Sequence, residues 1–237
     1  CSSSETLAVH CVPGEGDIRL VAGPHGMEGR LQIYHAGAWG EVCDDYWESG
    51  TYNNPYNKYN QDTVCQQMGY KRGTTLAYNT YPAPTDTYLL DDIRCVGTEK
   101  RIDACLHAAW NSENCWAAKT VGLSCAIYAD NDIRLVAGSA RNQGRVEILH
   151  NNVWGTICDD LIQYAGTSQT NFIKVACTQL NYGTAGSFGF VASGADPISM
   201  DDVQCTGSET TLANCPFSGW NVHNCSHSED SGITCTP

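Results

Sequence analysis

The stretch DIRLVAGPHGMEGRLQIYHAGAWGEVCDD at residues 17–45 recurs as DIRLVAGSARNQGRVEILHNNVWGTICDD at residues 132–160. The two segments have the same length and align without a gap at an offset of 115 residues, from 17 to 132. A duplication of this length predicts two domains that share one fold.

The cysteines of the two segments have the same spacing. They stand ten residues apart at 95, 105, 115 and 125, and again at 205, 215, 225 and 235. We therefore divide the chain into an N-terminal extension (1–16), a first domain called copy one (17–125), a short linker (126–131) and a second domain called copy two (132–237).

The first part of each copy has the pattern of β-structure. Val146 and Ile148 alternate with Glu147, and the Asn151–Asn152 pair that follows can adopt the left-handed turn of a tight hairpin. Trp39 and Trp154, at matched positions after this turn, are expected to be core residues.

A helix is predicted after the CDD motif, in QDTVCQQMGY of copy one and TNFIKVACTQLNYG of copy two. Ile173, Cys177 and Leu180 share one helical face, and Gly183 is the expected stop. Each copy therefore combines strands with one helix.

Composition limits the class of protein. Fourteen cysteines in 237 residues are typical of an oxidised, extracellular chain. The net charge of −13 would repel phosphate backbones and anionic membranes, so nucleic-acid binding is disfavoured. No apolar run approaches the ~18 residues of a membrane span. We expect a secreted protein or the ectodomain of a cell-surface protein.

The stretch HNCSHSEDSG at residues 223–232 concentrates metal-binding and reactive side chains. By itself it is compatible with a transition-metal site, a Cys/His nucleophile, a hard-cation site or a solvated loop around a disulfide. Zinc at His223 and His227 would need further ligands that the sequence does not offer, so these two are expected to be surface or hydrogen-bonding histidines.

Taken together, WG-x-x-CDD, DD-x-x-C and HN-C-x-H-x-ED-x-G resemble the scavenger receptor cysteine-rich (SRCR) family, in two tandem copies. The resemblance implies an α+β fold, with a curved antiparallel sheet cradling one helix in each disulfide-stapled domain. Tyr70 and Tyr182 stand where the eight-cysteine form of the family has an extra cysteine, so both copies look like the six-cysteine, group A-like form.

The resemblance also implies the disulfide pairing, for which spacing alone would allow 15 connectivities per domain. The implied pairs are Cys43–Cys115, Cys65–Cys125, Cys95–Cys105, Cys158–Cys225, Cys177–Cys235 and Cys205–Cys215. Cys1 and Cys11 are left over and are expected to pair with each other. Cys225 is then half of a disulfide, neither a thiolate ligand nor a nucleophile.

Adjacent Asp pairs recur at matched positions and repel each other unless a cation neutralises them. Solvated turn residues are the plainer interpretation, but Ca²⁺ takes six to eight oxygen ligands of this kind. Members of the family carry two cation sites per domain. The resemblance implies a first site in copy two of Asp159, Asp160 and Glu229, a second site in copy two of Asp201, Asp202 and Asn224, and a second site in copy one of Asp91, Asp92 and Asn114.

The first site of copy one, at Asp44 and Asp45, departs from the pattern. Lys119 occupies the position of Glu229, and its ammonium would repel Ca²⁺ and neutralise the two aspartates instead. The charge of the halves agrees with this difference: residues 17–125 carry 9 basic and 13 acidic side chains, a net of −4, whereas residues 126–237 carry 4 and 11, a net of −7.

The interval between the first two cysteines of each domain is longer in copy one, where it reads YWESGTYNNPYNKYN. Aromatic residues mixed with small polar ones are typical of binding loops. The predicted ligand-binding loop contains Tyr46, Trp47, Tyr52, Tyr56 and Tyr59. The plainer interpretation is a variable surface loop whose tyrosines pack on their own domain.

The leading functional hypothesis is a non-enzymatic extracellular recognition module, in which Ca²⁺ assists binding to an extracellular protein or a polyanionic glycan. A second hypothesis makes the pair a non-catalytic accessory region of a larger secreted or membrane-anchored enzyme. A hydrolase using paired carboxylates is disfavoured, because adjacent side chains diverge and no Ser/His/Asp order is apparent.

Overall fold

The computed structural model describes residues 12–47, 55–77, 79–84, 87–116, 118–189 and 193–237. Residues 1–11, with the expected Cys1–Cys11 pair, lie outside this part. The chain divides into two compact units whose main boundary falls between Cys125 and Ala126. Among the described residues, no helix has both the length and the apolar character needed to cross a membrane.

Copy one forms a curled six-stranded sheet. The strands are β1 (Ile18–Val21), β2 (Glu28–His35), β3 (Ala38–Val42), β4 (Arg72–Thr75), β5 (Tyr88–Leu90) and β6 (Gly122–Ala126). Their order is β4-β6-β2-β3-β5, with β1 also paired to β2. One helix, α1 (Tyr56–Gln67), connects β3 to β4.

Copy two repeats this arrangement. Its elements are β7 (Ile133–Ala137), β8 (Gln143–His150), β9 (Val153–Ile157), α2 (Thr167–Gln179), β10 (Gly186–Phe188), β11 (Ile198–Met200) and β12 (Gly232–Cys235). The order β10-β12-β8-β9-β11, with β7 on β8, matches that of copy one. The predicted α+β class, with two curved sheets that each carry a helix, is confirmed.

One strand in each sheet differs from the expected antiparallel pairing. β5 runs parallel to β3, and β11 runs parallel to β9. The chain between the two strands of each pair contains the helix, and parallel neighbours need such a long crossover, whereas a hairpin reverses direction. Antiparallel pairing joins β1 to β2, β2 to β3 and β2 to β6 in copy one, and β7 to β8, β8 to β9, β8 to β12 and β10 to β12 in copy two.

The predicted hairpin turn and helix are both present, but the helix of copy two ends earlier than predicted. Asn151 and Asn152 have φ of 51° and 63°, the left-handed conformation expected of the hairpin turn between β8 and β9. α2 ends at Gln179, and Asn181, with φ of 67°, is the left-handed residue that follows. The helix therefore stops before Gly183 is reached, because asparagine also tolerates this conformation.

The core of copy two lies between the helix and the sheet. Phe172, Ile173 and Cys177 of α2 pack with Val146 and Ile148 of β8 in one buried cluster. Burial of this apolar face is what stabilises so short a helix in water. The predicted helical face is confirmed.

The prediction that Trp39 and Trp154 are core residues is wrong. Both are half-buried and lie outside the buried core. The guanidinium carbon of Arg19 lies 4.1 Å from the ring centroid of Trp39, and that of Arg134 lies 4.1 Å from that of Trp154. Each indole is covered by a cation–π contact from a nearby strand, which the spacing of the tryptophans alone does not reveal.

The disulfides match the pairs that the resemblance implies. Five of them are Cys43–Cys115, Cys65–Cys125, Cys158–Cys225, Cys177–Cys235 and Cys205–Cys215. Cys95 and Cys105 are both disulfide-bonded as well, and since the other ten described cysteines are paired among themselves, these two bond to each other. Long loops are thereby closed in small domains, which restricts the unfolded chain.

A carboxylate organises the loop that follows Cys205. Glu209 accepts hydrogen bonds from the backbone N–H groups of Thr206, Gly207 and Ser208. Hydrogen bonds from the backbone of Thr206, which has the largest effect, and from that of Gly207 lower the pKa of Glu209 from 4.5 to about 2. Glu99 caps the matching loop of copy one in the same way.

Replacing Glu209 with glutamine should therefore make stability less dependent on pH. Because the folded pKa lies below the ordinary value of 4.5, the carboxylate stabilises the fold above pH 4.5 and loses this effect as the pH falls towards about 2. The melting temperatures of the original protein and of the Glu209→Gln variant should differ at pH 6, and this difference should shrink below pH 4.5. A difference that stays constant down to the acid limit would contradict this role.

Candidate metal centre and ligand surface

The parallel strand pairs bring two acidic motifs to one edge of each sheet. In copy two, β9 ends at Ile157 and β11 ends at Met200, and these two residues are in register. The CDD motif follows the first strand and Asp201 follows the second. Because parallel strands finish on the same side, residues that are distant in the chain become neighbours.

Asp160 and Asp201 form the centre of this edge in copy two. One carboxylate oxygen of each, together with the sulfurs of Cys158 and Cys225, lie within 4.8 Å of one another. Asp201 is buried, whereas Asp160 is half-buried. The sequence assigns Asp160 to the first predicted cation site and Asp201 to the second. In the structure these two carboxylates are neighbours.

Asp159 and Glu229 complete the first predicted set. The backbone N–H of Asp159 donates to the carbonyl oxygen of Glu229 at 2.8 Å, which ties the CDD motif to the C-terminal loop. Partial burial raises the pKa of the Asp159 carboxyl, and the charges of Asp160 and Glu229 raise it further. Negative charge is therefore concentrated here without full compensation.

Glu229 also has a local structural role. It is the last residue of a short 3₁₀ turn, and its Oε2 accepts hydrogen bonds from the backbone N–H (2.7 Å) and the hydroxyl (3.1 Å) of Ser226. This capping box fixes the glutamate side chain, whose charge raises the pKa of Asp159.

The second predicted set is arranged around Asp201. Its Oδ1 accepts the N–H of Asp202 at 2.7 Å, and its Oδ2 accepts the N–H of Asn224 at 3.3 Å. Asp202 has a left-handed φ of 55° and accepts a hydrogen bond from Ser218 at 2.8 Å. Asn224 contacts Asp201 through its backbone, and the residue is exposed.

The two histidines of HNCSHSEDSG are divided between different roles. His227 Nδ1 lies 3.2 Å from the buried carboxylate of Asp230, whose Oδ2 also lies 3.9 Å from Nε of Arg145. His223 is exposed and lines a shallow groove of about 390 Å³ with His150 and Ser199. With Cys225 in a disulfide, its sulfur is neither a thiolate ligand nor a nucleophile.

In copy one, the side chain of Lys119 supplies a positive charge at the first predicted cation site. Lys119 Nζ lies 3.4 Å from Asp44 Oδ1 and 3.1 Å from Asp45 Oδ1. The lysine side chain is 18% exposed and that of Asp44 is 7% exposed, so the pair is poorly screened by water. The ammonium contacts both aspartates and offsets one of their two negative charges, a contact expected from the alignment with Glu229.

The second site of copy one has a partner that sequence reasoning missed. Asp92 Oδ2 lies 3.8 Å from Arg94 Nη2, whereas the matching position of copy two is the neutral Gln204. Burial raises the pKa of Asp91, the N–H of Asp92 opposes this shift, and the charges of Asp45 and Asp92 add to it. The N–H of Asn114 lies 3.4 Å from Asp91 Oδ2, an arrangement like that in copy two.

The inclusion of Trp47 in the ligand-binding loop is wrong. Its side chain is fully buried, at the position where copy two has the equally buried Ile162. The indole belongs to the core of copy one and is not accessible to a ligand. The composition of the segment was misleading because a large aromatic residue occurs both in binding loops and in cores.

The tyrosines of this segment fall into three groups. Tyr46 is 41% exposed, has a left-handed φ of 66°, and carries the guanidinium of Arg94 over its ring at 4.1 Å. Tyr56 and Tyr59 are half-buried in the first turn of α1 and therefore lie on a helix, not in a loop. Tyr52 lies outside the described residues.

Each copy combines a curled sheet and one helix with disulfides and an acidic edge. These features define a class of protein: a tandem of small, disulfide-stapled α+β recognition domains. The chain belongs to the scavenger receptor cysteine-rich family, whose domain model matches residues 21–126 and 136–236. Domains of this family are non-catalytic recognition modules, and their many disulfides are typical of extracellular proteins.

A relative that aligns with the whole chain agrees with this assignment. A scavenger receptor cysteine-rich domain superfamily protein of Patiria pectinifera is 36% identical over 248 residues, which cover 100% of this chain and 20% of that protein. The chain thus spans about a fifth of the length of this relative.

Two solved domains show similar sequences. The SRCR domain of mouse MARCO, in its dimeric form, is 38% identical and covers 40% of this chain and 87% of its own, with a TM-score of 0.35. The third SRCR domain of murine neurotrypsin is 40% identical and covers 44% of this chain and 95% of its own, with a TM-score of 0.37.

Proposed function

We propose that this tandem is an extracellular recognition module in which copy two holds Ca²⁺ at its acidic edge and presents it to anionic groups of a ligand. The ligand class is a polyanionic glycan or an acidic surface of a partner protein. The observation that carries the proposal is that the adjacent Asp160 and Asp201 carboxylates have Glu229 nearby in the chain fold, whereas the equivalent Asp45 and Asp91 cluster of copy one has Lys119 on Asp45.

The donor chemistry of this edge fits a hard cation. Carboxylate and amide oxygens are the ligands that Ca²⁺ prefers. The raised pKa of Asp159 supports the same conclusion, because a bound cation would relieve the repulsion that contributes to it. Asp159, Asp160 and Glu229 are all half-buried, so an ion there would keep positions for water or ligand atoms.

Charge makes the metal important for recognition. The chain has 13 basic and 26 acidic side chains, and an anionic ligand would otherwise meet net repulsion. Copy one differs because Lys119 already supplies one positive charge to its first site. We therefore place the calcium-dependent contact on copy two.

Retention of the tandem on immobilised heparin tests this function. Binding in about 1 mM Ca²⁺ should be lost in EDTA and restored by added Ca²⁺, because extracellular sites of this kind have dissociation constants of about 10⁻⁴–10⁻³ M. An Asp160→Asn variant should bind weakly in either condition. Retention that is equal in Ca²⁺ and EDTA would assign binding to basic residues and contradict the proposal.

A further inference from the structure

The acidic edge of copy two contains a signal for covalent modification. Asn224-Cys225-Ser226 has the Asn-x-Ser/Thr pattern of N-linked glycosylation, and it is the single occurrence in the 237 residues. We propose that Asn224 carries an N-linked glycan that covers the second cation position of copy two.

The structure provides room for such a glycan. Asn221, Val222, His223 and Asn224 form a continuous exposed run, and Ser226 is exposed as well. The backbone N–H of Asn224 is fixed by Asp201, and its Oδ1 lies 3.5 Å from the Cys225 sulfur. A sugar attached to Nδ2 can therefore extend into solvent without displacing a core residue.

The transfer needs a donor of the secretory pathway, a lipid diphosphate-linked oligosaccharide. The amide Nδ2 of Asn224 forms a bond to C1 of the first sugar, and the bond from C1 to the diphosphate oxygen breaks. The lipid diphosphate leaves with the electron pair of that bond, and Nδ2 gives up one proton. No oxidation or reduction takes place.

Copy one provides the natural comparison. Its matching sequence is Asn114-Cys115-Trp116, in which a tryptophan that is 57% exposed replaces the required hydroxyl residue. The modification therefore adds to the difference between Arg94 and Gln204 at two sites that share their Asp-Asp and Asn residues. In the glycosylated form the sugar stands beside Asp201 and Asp202, whereas the equivalent edge of copy one remains uncovered.

The disulfide makes the timing of transfer important. Cys225 is the middle residue of the pattern and bonds to Cys158 in the folded domain. Closing this bond fixes the backbone on both sides of the cysteine, so transfer should precede it. Brief treatment of producing cells with dithiothreitol should then increase the fraction of modified chains.

Mass spectrometry of the tandem secreted by cultured animal cells tests the modification. Peptide N-glycosidase in heavy-oxygen water should lower the mass and leave a labelled aspartate at position 224. Asn224→Gln and Ser226→Ala should abolish this change, whereas Ser226→Thr should preserve it and Trp116→Ser should add a second glycan in copy one. Unmodified Asn224 in all secreted molecules, with and without dithiothreitol, would overturn the proposal.

The effect on the cation position rests on the proposed function and has a separate measurement. Trimming the glycan to its first sugar with an endoglycosidase should increase calcium-dependent retention on heparin without changing the sequence. Unchanged retention would show that the glycan does not cover this position. If neither form depends on calcium, the proposed function fails while the mass result for Asn224 stands.

Discussion

Replacing Lys119 with glutamate should add one Ca²⁺ site to copy one. The change removes the ammonium that lies within 3.4 Å of Asp44 and Asp45 and supplies the carboxylate found at the same position of copy two. Isothermal titration of the full tandem should show one additional ion. At about 1 mM Ca²⁺ and a dissociation constant of about 10⁻⁴–10⁻³ M, the new site should stabilise the fold by about 0.4–1.4 kcal/mol.

The reciprocal change, Glu229→Lys, should remove one ion from copy two. Because Glu229 also accepts hydrogen bonds from Ser226, some stability will be lost even without metal. Glu229→Gln controls for this effect, since the amide oxygen can still accept from Ser226. For each variant, cation binding is therefore measured as the melting temperature in Ca²⁺ minus the melting temperature in EDTA.

The pair of variants gives a sharp outcome. The ion count should rise by one for Lys119→Glu and fall by one for Glu229→Lys, and the double exchange should return it to that of the original chain. Equal counts in all four proteins would mean that this position does not control cation binding in either copy.

Replacing Glu41 with threonine should destabilise copy one strongly. Glu41 is 2% exposed, and its Oε2 lies 2.8 Å from Nε of Arg30, which is also buried. Removing the carboxylate leaves a buried guanidinium without its counter-charge, which costs about 3–5 kcal/mol. Denaturant unfolding should show this loss in the transition of copy one.

Copy two shows how the loss can be repaired. Threonine already stands there at the position of Glu41, as Thr156, and the carboxylate is on the central strand as Glu147, which replaces Gln32. Arg145, the counterpart of Arg30, lies 2.7 Å from Glu147, and Arg134 lies 2.7 Å from it on the other side. The two copies therefore neutralise the same buried arginine from different strands.

The double variant Gln32→Glu, Glu41→Thr should recover much of the lost stability. It moves the carboxylate to the strand that copy two uses, where Arg19 and Arg30 are both available to it. Gln32→Glu alone should not stabilise the domain, because it replaces the amide that donates to Glu41 Oε1 at 2.8 Å with a second carboxylate that repels the first. A double variant as unstable as Glu41→Thr would show that the two networks are not interchangeable.

Most of the fold follows from patterns that are local or periodic in the sequence. The 115-residue repeat, the Asn151–Asn152 hairpin and the helical face with Ile173 and Cys177 depend on neighbours a few positions away or on a simple offset, the distance from 17 to 132. Among residues a few positions apart in the sequence, residue type and spacing set the backbone conformation and the exposure to solvent. These features could be predicted with no knowledge of distant contacts.

The candidate site could be predicted only as a set of residues. Asp159, Asp160 and Glu229 were assigned to one cation and Asp201, Asp202 and Asn224 to another, yet Asp160 and Asp201 meet at one edge. Their adjacency depends on the parallel pairing of β9 and β11, for which the sequence contains no direct signal. The same applies to Arg94 beside Asp92, and to Trp47, whose burial distinguishes a core residue from a contact residue.

The sequence by itself therefore determined that the protein has two copies of one cysteine-rich domain, and that Lys119 replaces Glu229 in the first. The tertiary structure confirmed the contact of Lys119 with the aspartates and alone decided the other distances between charges, such as that of Arg94 from Asp92. In copy one Lys119 and Arg94 neutralise carboxylates no more than 3.8 Å away, whereas in copy two Asp159, Asp160 and Glu229 repel one another. The physical reason is that Coulomb energy depends on distance and burial, and both are fixed only when strands far apart in the chain pair.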